Sequence, residues 1–190
     1  VPYYNKPTQD GLFQHFTKIA DSVDLPIFIY NIPGRSVIDM SNETIAKLSL
    51  HPNIIGIKDA SNDLSRPLEL KKLITHKYFF QLSGEDGTQL SFLANGGDGV
   101  ISVTANITPG LISQMHSLWF EKKYREAMDI NNKLTNLNRA MFLESNPIPV
   151  KYAASKIGLC DNELRLPLTE ASENTEVIIN EALEKLQIGG

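Results

Sequence analysis

The chain has 190 residues, of which 42% are hydrophobic and 21% charged, and its net charge is −4 at pH 7. This composition suits one buried core with a helical appendage and includes no basic, aromatic-rich cluster of the kind that binds nucleic acid. Its only cysteine, Cys160, excludes an intrachain disulfide framework and a multi-cysteine zinc site. With no apolar run near the roughly 20 residues of a membrane span and no signal-peptide pattern, we expect a cytoplasmic protein that does not enter a membrane.

The apolar pattern predicts short strands that alternate with amphipathic helices up to residue 120, and helices alone beyond it. Glycine and proline residues mark the loops between these elements. In chain order we predict a helix at 9–23, a strand at 25–30, a loop at 31–35, a helix capped by Ser41 that ends near residue 50, a strand at 54–58, a helix at 64–74, a strand at 79–82, a turn at 84–87, a short helix ending near residue 95, a strand at 100–103, and helices at 109–120, 121–142, 148–157 and 170–186.

Alternation of apolar strands with helices is typical of parallel βαβ units. Four such units do not close a TIM (β/α)8 barrel, which takes eight units and about 250 residues. An open doubly wound sheet is the alternative, but the G-x-G-x-x-G fingerprint that usually follows its first strand is missing. Because the chain does not begin with methionine, we expect it to start inside a longer protein. The predicted fold is therefore α/β, with the second half of a (β/α)8 barrel at 1–121 and a helical C-terminal extension at 122–190.

A tyrosine and a lysine stand at the ends of two successive predicted strands. Tyr30 ends the run 26–30 and Lys58 ends the run 54–58. Neighbouring strand ends lie side by side in a parallel sheet, so we expect an amine and a phenol to meet at one mouth of it. A lysine attacks a carbonyl only as the neutral amine, and an apolar site can favour that form by desolvation. A tyrosine can both donate and accept a proton. The alternative is that the lysine has an ordinary solvent-exposed ammonium group and that the tyrosine has a buried ring and a solvent-exposed hydroxyl.

Arg35 follows Tyr30 by five residues in a loop on the same predicted face. Its guanidinium can hold a substrate carboxylate through two parallel hydrogen bonds, or it can form a surface ion pair with Asp39 or Glu43. The four histidines are scattered, without the spacing of a metal site. This disfavours a metal-dependent aldolase, and covalent chemistry on a lysine amine needs no metal or organic cofactor.

Six runs of the chain resemble the dihydrodipicolinate synthase family, also called 4-hydroxy-tetrahydrodipicolinate synthases, of the pyruvate-dependent class I aldolase superfamily. The resemblance extends over essentially the whole chain in the right order and corresponds to the C-terminal two-thirds of the family. The runs lie at 2–7 (PYYNKP), 30–35 (YNIPGR), 56–60 (GIKDA), 82–84 (LSG), 99–103 (GVISV) and 146–151 (NPIPVK).

The resemblance implies a lyase of lysine and diaminopimelate biosynthesis that condenses pyruvate with L-aspartate 4-semialdehyde. It implies that Lys58 forms the Schiff base with pyruvate, that Tyr30 relays protons, and that Arg35 binds the carboxylate of the aldehyde. It further implies a homotetramer built as a dimer of dimers, in which Tyr4 reaches the proton relay of a neighbouring subunit, and lysine as a possible effector. Three further positions follow from the same resemblance: Tyr3 near the lysine site at the dimer interface, and Gly84 and Ile101 lining the pyruvate pocket.

One family feature is missing from the chain. The Gly-Thr-Thr-Gly-Glu segment of an early strand, which supplies a threonine to the relay and amides to the pyruvate carboxylate, does not occur. If these residues were the entire molecule, we would expect an inactive fragment with exposed sheet edges, acting only as an oligomerisation module. Two activities of the same superfamily compete with the synthase reaction, namely those of N-acetylneuraminate lyase and of keto-deoxy-sugar aldolases. Arg35 favours the synthase over both.

Overall fold

The computed structural model describes residues 1–188 of the chain. Its contacts divide the chain into two compact units, the first at Val1–Ile101 and the second beginning at Ser102. This division falls earlier in the chain than the predicted domain boundary between residues 121 and 122, which stays a prediction. No helix within residues 1–188 is both long and apolar enough to cross a bilayer.

The first unit is built on a parallel sheet. Its four strands follow one another in chain order, each hydrogen-bonded to the next. Such an order requires a helical crossover between neighbours, because parallel strands cannot be joined by a tight turn. The α/β class and the parallel sheet predicted from the sequence are thereby confirmed. The strands are β1 (Ile27–Asn31), β2 (Ile54–Asp59), β3 (Phe80–Ser83) and β4 (Gly99–Val100), and the helices are α1 (Gln9–Asp21), α2 (Pro33–Ser36), α3 (Asn42–Leu48), α4 (Arg66–Leu73) and α5 (Gln89–Ala94).

The two faces of this sheet differ in burial. Side chains alternate between faces along a strand, so Ile29 and Ile57 point to one side and their neighbours Tyr30 and Lys58 to the other. Ile29 and Ile57 are buried in a cluster that includes residues of α1, α3 and α4, such as Leu12, Ile45 and Leu70. The opposite face carries Phe28, Tyr30 and Phe80, which are each about 40% exposed within the described residues.

Two helices of the first unit begin at a residue whose side chain caps them. Thr8 Oγ1 accepts from the backbone N–H of Gly11 at 3.2 Å and so caps α1. Ser41 Oγ accepts from Thr44 N at 3.3 Å and caps α3. Each contact satisfies one of the N–H groups that an α-helix leaves without a partner at its start.

The second unit is helical. It contains α6 (Pro109–Phe120), α7 (Tyr124–Ala140), α8 (Ile148–Lys156) and α9 (Glu173–Lys185). Its core is formed by apolar side chains of α7, α8 and α9, among them Leu137, Ala153 and Ile179, which are fully buried.

Two local predictions differ from the structure. The strand predicted at 100–103 is limited to Gly99–Val100, because Val103 has helical dihedrals and Ser102 Oγ accepts from Ala105 N at 2.8 Å, which starts a 3-10 turn. The loop predicted at 31–35 contains the single helical turn α2. Proline favours the first position of a helix, where its missing N–H costs nothing, so Pro33 starts this turn rather than preventing it.

Candidate active site

The two residues predicted to meet at the sheet do so. Tyr30 and Lys58 are directly paired in the register of β1 and β2. Lys58 Nζ lies 3.9 Å from the centroid of the Tyr30 ring. This places the amine over the electron-rich face of the phenol, where a cation is favoured. Within residues 1–188, no carboxylate lies at ion-pairing distance from Lys58, so the amine is not held in a salt bridge.

Gly84 shapes the space beside the lysine. Its backbone N–H donates to Asp59 O at 2.7 Å, which ties the end of β3 to the end of β2. A methyl group added at Gly84 would lie 3.2 Å from Lys58 Cε and 2.8 Å from Ala60 Cβ. Both distances are below an ordinary carbon–carbon contact. Glycine at this position therefore leaves room for the lysine side chain to pass.

The next strand end contributes an apolar residue. Ile101 follows β4, and its backbone N–H donates to Ser83 O at 2.9 Å, which continues the pairing of β3 with β4. Its side chain is 45% exposed. Ile101 thus stands at the carboxyl end of the sheet, as do Tyr30, Lys58 and Gly84.

A carboxyl group lies close enough to Lys58 to interact with its charge. Partial burial raises the pKa of Glu85, with a smaller contribution from repulsion by Asp86, and the charge of Lys58 opposes the rise. Glu85 was not predicted from the sequence as a site residue. Its position directly after Gly84, in a turn that follows a strand end, is the signal that points to it.

Arg35 lies in α2, the turn that follows β1, and its side chain is exposed. The turn ends at Val37, which has a φ of 68°. A β-branched residue rarely adopts this left-handed region, so the backbone is strained there. Asp39 is one of the ion-pair partners that the sequence offers for Arg35. Its carboxylate accepts hydrogen bonds from Asn31 Nδ2 and Arg66 Nη2.

Tyr3 and Tyr4 stand apart from this group. Their side chains are 73% and 85% exposed, and Tyr4 has a φ of 73°. The segment that carries them is tied to the sheet by the backbone nitrogen of Val1, which donates to Tyr30 O at 2.7 Å. The structure thus brings Tyr30, Lys58 and Gly84 together and leaves the rings of Tyr3 and Tyr4 on the surface.

A buried polar network lies on the other face of the sheet, one residue beyond the reactive pair. Asn31 and Asp59 directly follow Tyr30 and Lys58, are paired in register, and are 0% and 3% exposed. Asn31 Nδ2 donates to Asp59 Oδ1 at 2.9 Å, and Arg66 Nε lies 3.6 Å from Asp59 Oδ2. Sequence reasoning missed this network. Polar residues directly after two apolar strands were its only signal, and nothing in the sequence pointed to Arg66.

This arrangement can support covalent chemistry by an amine. The amine, the phenol and a glycine-lined space lie at the same end of a parallel sheet, and the guanidinium is on an adjacent turn. Active sites of (β/α)8 proteins lie at this carboxyl end. Within residues 1–188, no cluster of three or more histidine, cysteine, aspartate or glutamate residues could hold a metal ion.

Comparison with known proteins gives consistent matches along the chain. The model of the dihydrodipicolinate synthetase family matches residues 1–186. The 4-hydroxy-tetrahydrodipicolinate synthase of Gluconacetobacter diazotrophicus is 53% identical over 183 residues, which are 96% of this chain and 62% of that protein. The chain thus spans less than two thirds of the length of the curated relatives it matches.

Solved structures give the same result. A chloride-inhibited dihydrodipicolinate synthase from Acinetobacter baumannii, complexed with pyruvate, superposes with a TM-score of 0.94 and 45% identity, over 99% of this chain and 64% of that one. The enzyme from Cyanidioschyzon merolae with lysine bound superposes with a TM-score of 0.94 and 36% identity, over 98% and 63% of the two chains. With its parallel sheet, its paired lysine and tyrosine and these matches, the chain belongs to the dihydrodipicolinate synthetase family.

Proposed function

We propose that the protein carrying this chain condenses pyruvate with L-aspartate 4-semialdehyde to give 4-hydroxy-tetrahydrodipicolinate, through a Schiff base on Lys58. The observation that carries this proposal is the pairing of Lys58 with Tyr30, with Nζ 3.9 Å from the ring centroid. The family membership and the pyruvate bound to the A. baumannii relative support it.

The first step is imine formation. The neutral amine of Lys58 attacks the ketone carbon of pyruvate and forms a C–N bond, and the carbonyl oxygen leaves as water after two proton transfers. Tyr30 carries these protons, because its hydroxyl can both donate and accept and its ring already lies against the amine.

The second step is carbon–carbon bond formation. The protonated imine withdraws electrons and makes the adjacent methyl group acidic, so that loss of a proton gives an enamine. The enamine carbon attacks the aldehyde carbon of the second substrate, whose oxygen takes up a proton. The amino group of that substrate then displaces the Lys58 nitrogen, which closes the ring and frees the lysine. No metal or organic cofactor takes part in these steps.

Substrate positioning falls to residues around the pair. Arg35 holds the carboxylate of the aldehyde substrate through two parallel hydrogen bonds. Gly84 and Ile101 line the pyruvate pocket, the first by leaving space beside Lys58 and the second with an apolar side chain. Positioning of this kind converts a bimolecular reaction into one within a complex.

A complete site requires more than the described residues. We propose that residues 1–121 form the second half of a (β/α)8 barrel and that a helical extension, predicted at 122–190, follows; its last two positions lie outside the described residues. The half-exposed face with Phe28, Tyr30 and Phe80 then becomes the barrel interior. We further propose a homotetramer, a dimer of dimers, in which Tyr4 enters the proton relay of a neighbouring subunit and Tyr3 borders a lysine site. The lysine bound to the C. merolae relative supports an effector site.

Trapping with borohydride tests the proposal. The protein is incubated with pyruvate, reduced with borohydride, digested and mapped by mass spectrometry. We expect a reduced pyruvyl adduct on the peptide containing Lys58. Absence of any adduct in a folded, completed protein would refute the proposal. The 190-residue chain is tested beside a chimera completed with the unmatched part of the G. diazotrophicus relative, and we expect turnover only from the chimera.

Arg35→Ala separates the two substrates. We expect this variant to form the pyruvyl adduct as the parent protein does, while condensation falls because the aldehyde carboxylate has lost its partner. An equal loss of both activities would show that Arg35 does not act on the second substrate.

A further inference from the structure

The network behind the reactive pair holds the segment that carries Arg35. We call it the Asp59 network and define it as Asn31, Asp39, Asp59 and Arg66. Asn31 and Asp59 end two neighbouring strands, Arg66 is the first residue of α4, and Asp39 lies just after the turn of Arg35. Four separate pieces of chain therefore meet in one hydrogen-bonded cluster.

Asn31 uses both ends of its amide in this cluster. Its Nδ2 donates to Asp59 Oδ1 at 2.9 Å and to Asp39 Oδ1 at 2.7 Å. Its Oδ1 accepts from Met40 N at 3.1 Å. The side chain that follows Tyr30 thus joins the end of β2 to the far end of the segment 32–40.

The guanidinium of Arg66 binds the same end of this segment. Its Nη1 donates to Met40 O at 2.7 Å and its Nη2 to Asp39 Oδ2 at 2.8 Å, whereas its Nε lies 3.6 Å from Asp59 Oδ2. The guanidinium is almost fully buried, at 4% exposure of the residue. Its directional contacts therefore go to residues 39 and 40, and its charge lies between two carboxylates.

The segment between these anchors is strained. Val37 has a φ of 68°, and such a backbone persists only where its surroundings over-determine it. Asn31 holds one end of the segment as part of β1, and Asn31 and Arg66 together hold the other end. Gln9 adds a further contact, since its Nε2 donates to Asp39 O at 2.8 Å and its Oε1 accepts from Ser41 N at 3.0 Å.

We propose that Arg66 and Asn31 are positioning residues that set the place of the Arg35 guanidinium relative to Lys58. They do so by fixing residues 39 and 40, and through them the turn of Arg35. The inference rests on the proposed function, in which Arg35 binds the carboxylate of the second substrate. Arg66 and Asn31 act only through the segment and do not touch substrate.

Arg66→Lys tests this with the charge retained. A lysine keeps a cation between Asp39 and Asp59 but cannot donate to Asp39 Oδ2 and Met40 O through a fork. Asp39→Asn is the second variant, chosen because Asp39 is half exposed and its replacement leaves the buried Asp59 paired with Asn31. Tyr78→Phe is the control. It also removes one hydrogen bond, of 2.5 Å to Asp98, but Tyr78 precedes the first residue of β3 and so lies away from the carboxyl ends of the strands.

Hydrogen exchange reports on the segment without requiring activity. The amides of Arg35, Ser36 and Val37 donate to Ile32 O and Pro33 O within the turn. We expect their exchange to be about tenfold faster in Arg66→Lys and Asp39→Asn, and unchanged in Tyr78→Phe, because local opening becomes easier once its anchor is lost. Unchanged exchange in both network variants would overturn the inference, even in a protein without turnover.

Kinetics in the completed chimera then tests the link to Arg35. We expect Arg66→Lys to raise the KM for aspartate semialdehyde about 10- to 100-fold, since a misplacement of about 1 Å can cost that much. Pyruvate trapping on Lys58 stays at the parent level. In an Arg35→Ala background, Arg66→Lys should add little, because the group that it positions is gone.

The outcomes separate the two proposals. Failure of the parent chimera to trap pyruvate refutes the proposed function and leaves the exchange experiment to decide on the segment. Normal trapping with an unchanged KM in Arg66→Lys refutes the positioning role alone. So does a KM effect of full size in the Arg35→Ala background, or an equal loss of pyruvate trapping, since the network would then act on something other than Arg35.

Discussion

Replacement of Gly84 by alanine probes how closely Lys58 is confined. The new methyl group would lie 2.8 Å from Ala60 Cβ and 3.2 Å from Lys58 Cε. Nonbonded carbons normally lie 3.5–4.0 Å apart, so the contact with Ala60 is about 0.7 Å too short. Ala60 cannot relieve it by a rotamer change, because its side chain is only a Cβ fixed to the backbone. Either the end of β3 or the end of β2 must therefore move, and the lysine moves with it.

The size of the effect follows from this overlap. Overpacking of a filled site typically costs about 1–3 kcal/mol of stability. A displacement near 1 Å at a reacting group can cost about 100-fold in rate. We therefore expect Gly84→Ala to remain folded with a lower free energy of unfolding, and to form the pyruvyl adduct about 10- to 100-fold more slowly than the parent protein.

Gly87→Ala provides a matched control in the same turn. A methyl group at Gly87 meets no atom within 4 Å. Neither glycine has a positive φ, so both substitutions are compatible with the backbone and differ mainly in space. Adduct formation is followed by mass spectrometry after borohydride quenching at timed intervals, and stability by urea denaturation. We expect Gly87→Ala to match the parent protein in adduct formation.

A Gly84→Ala variant that is destabilised as expected but traps pyruvate at the parental rate would contradict this prediction. That result would mean that the strand ends yield without displacing Lys58. A loss of equal size in Gly87→Ala would refute it in another way, because the cause would then be flexibility of the turn rather than crowding of the lysine.

Three further predictions concern stability. Burial raises the pKa of Glu85 above its ordinary value of 4.5, so the stabilisation from its protonated form is complete below pH 4.5 and lost as the pH rises through the raised pKa. Glu85→Gln should therefore be more stable than the parent at pH 7, by at most about 1 kcal/mol for this half-solvated group, and an equal gain at pH 4 in thermal melts would contradict this. Val37→Gly should raise the free energy of unfolding, measured by urea denaturation, by up to about 1 kcal/mol, because it relieves the φ of 68° and loses little burial. Val37→Ala should not raise it, and equal effects of the two variants would exclude backbone strain as the cause. Ser172→Ala should lower the free energy of unfolding by about 1 kcal/mol in the same assay, because Ser172 Oγ accepts from Thr175 N and so caps α9. An unchanged free energy of unfolding would show that the cap contributes nothing.

Much of the first unit could be predicted from local sequence. Apolar runs between helical patterns predicted β1 and β2 to within two residues, because a buried parallel strand is apolar on both faces. The same pattern predicted that Tyr30 and Lys58 would be neighbours, since successive strands of this kind pair and each residue ended its run. The short β4 was not predictable in this way, because it ends where Ser102 Oγ accepts from Ala105 N and a 3-10 turn begins.

Most helices, the first three parallel strands and the place of a lysine and a tyrosine at the strand ends follow from local periodicity and from the rule that successive βα units align. Tertiary packing alone places Arg66 against Asp39 and Met40, lets Glu85 interact with the charge of Lys58, and turns Gly84 toward the lysine stem. These contacts join residues that are far apart in the chain or placed by a turn, and no periodic pattern encodes the direction in which a long side chain leaves its helix. Packing sets that direction, through burial and the need of each buried polar group for a partner.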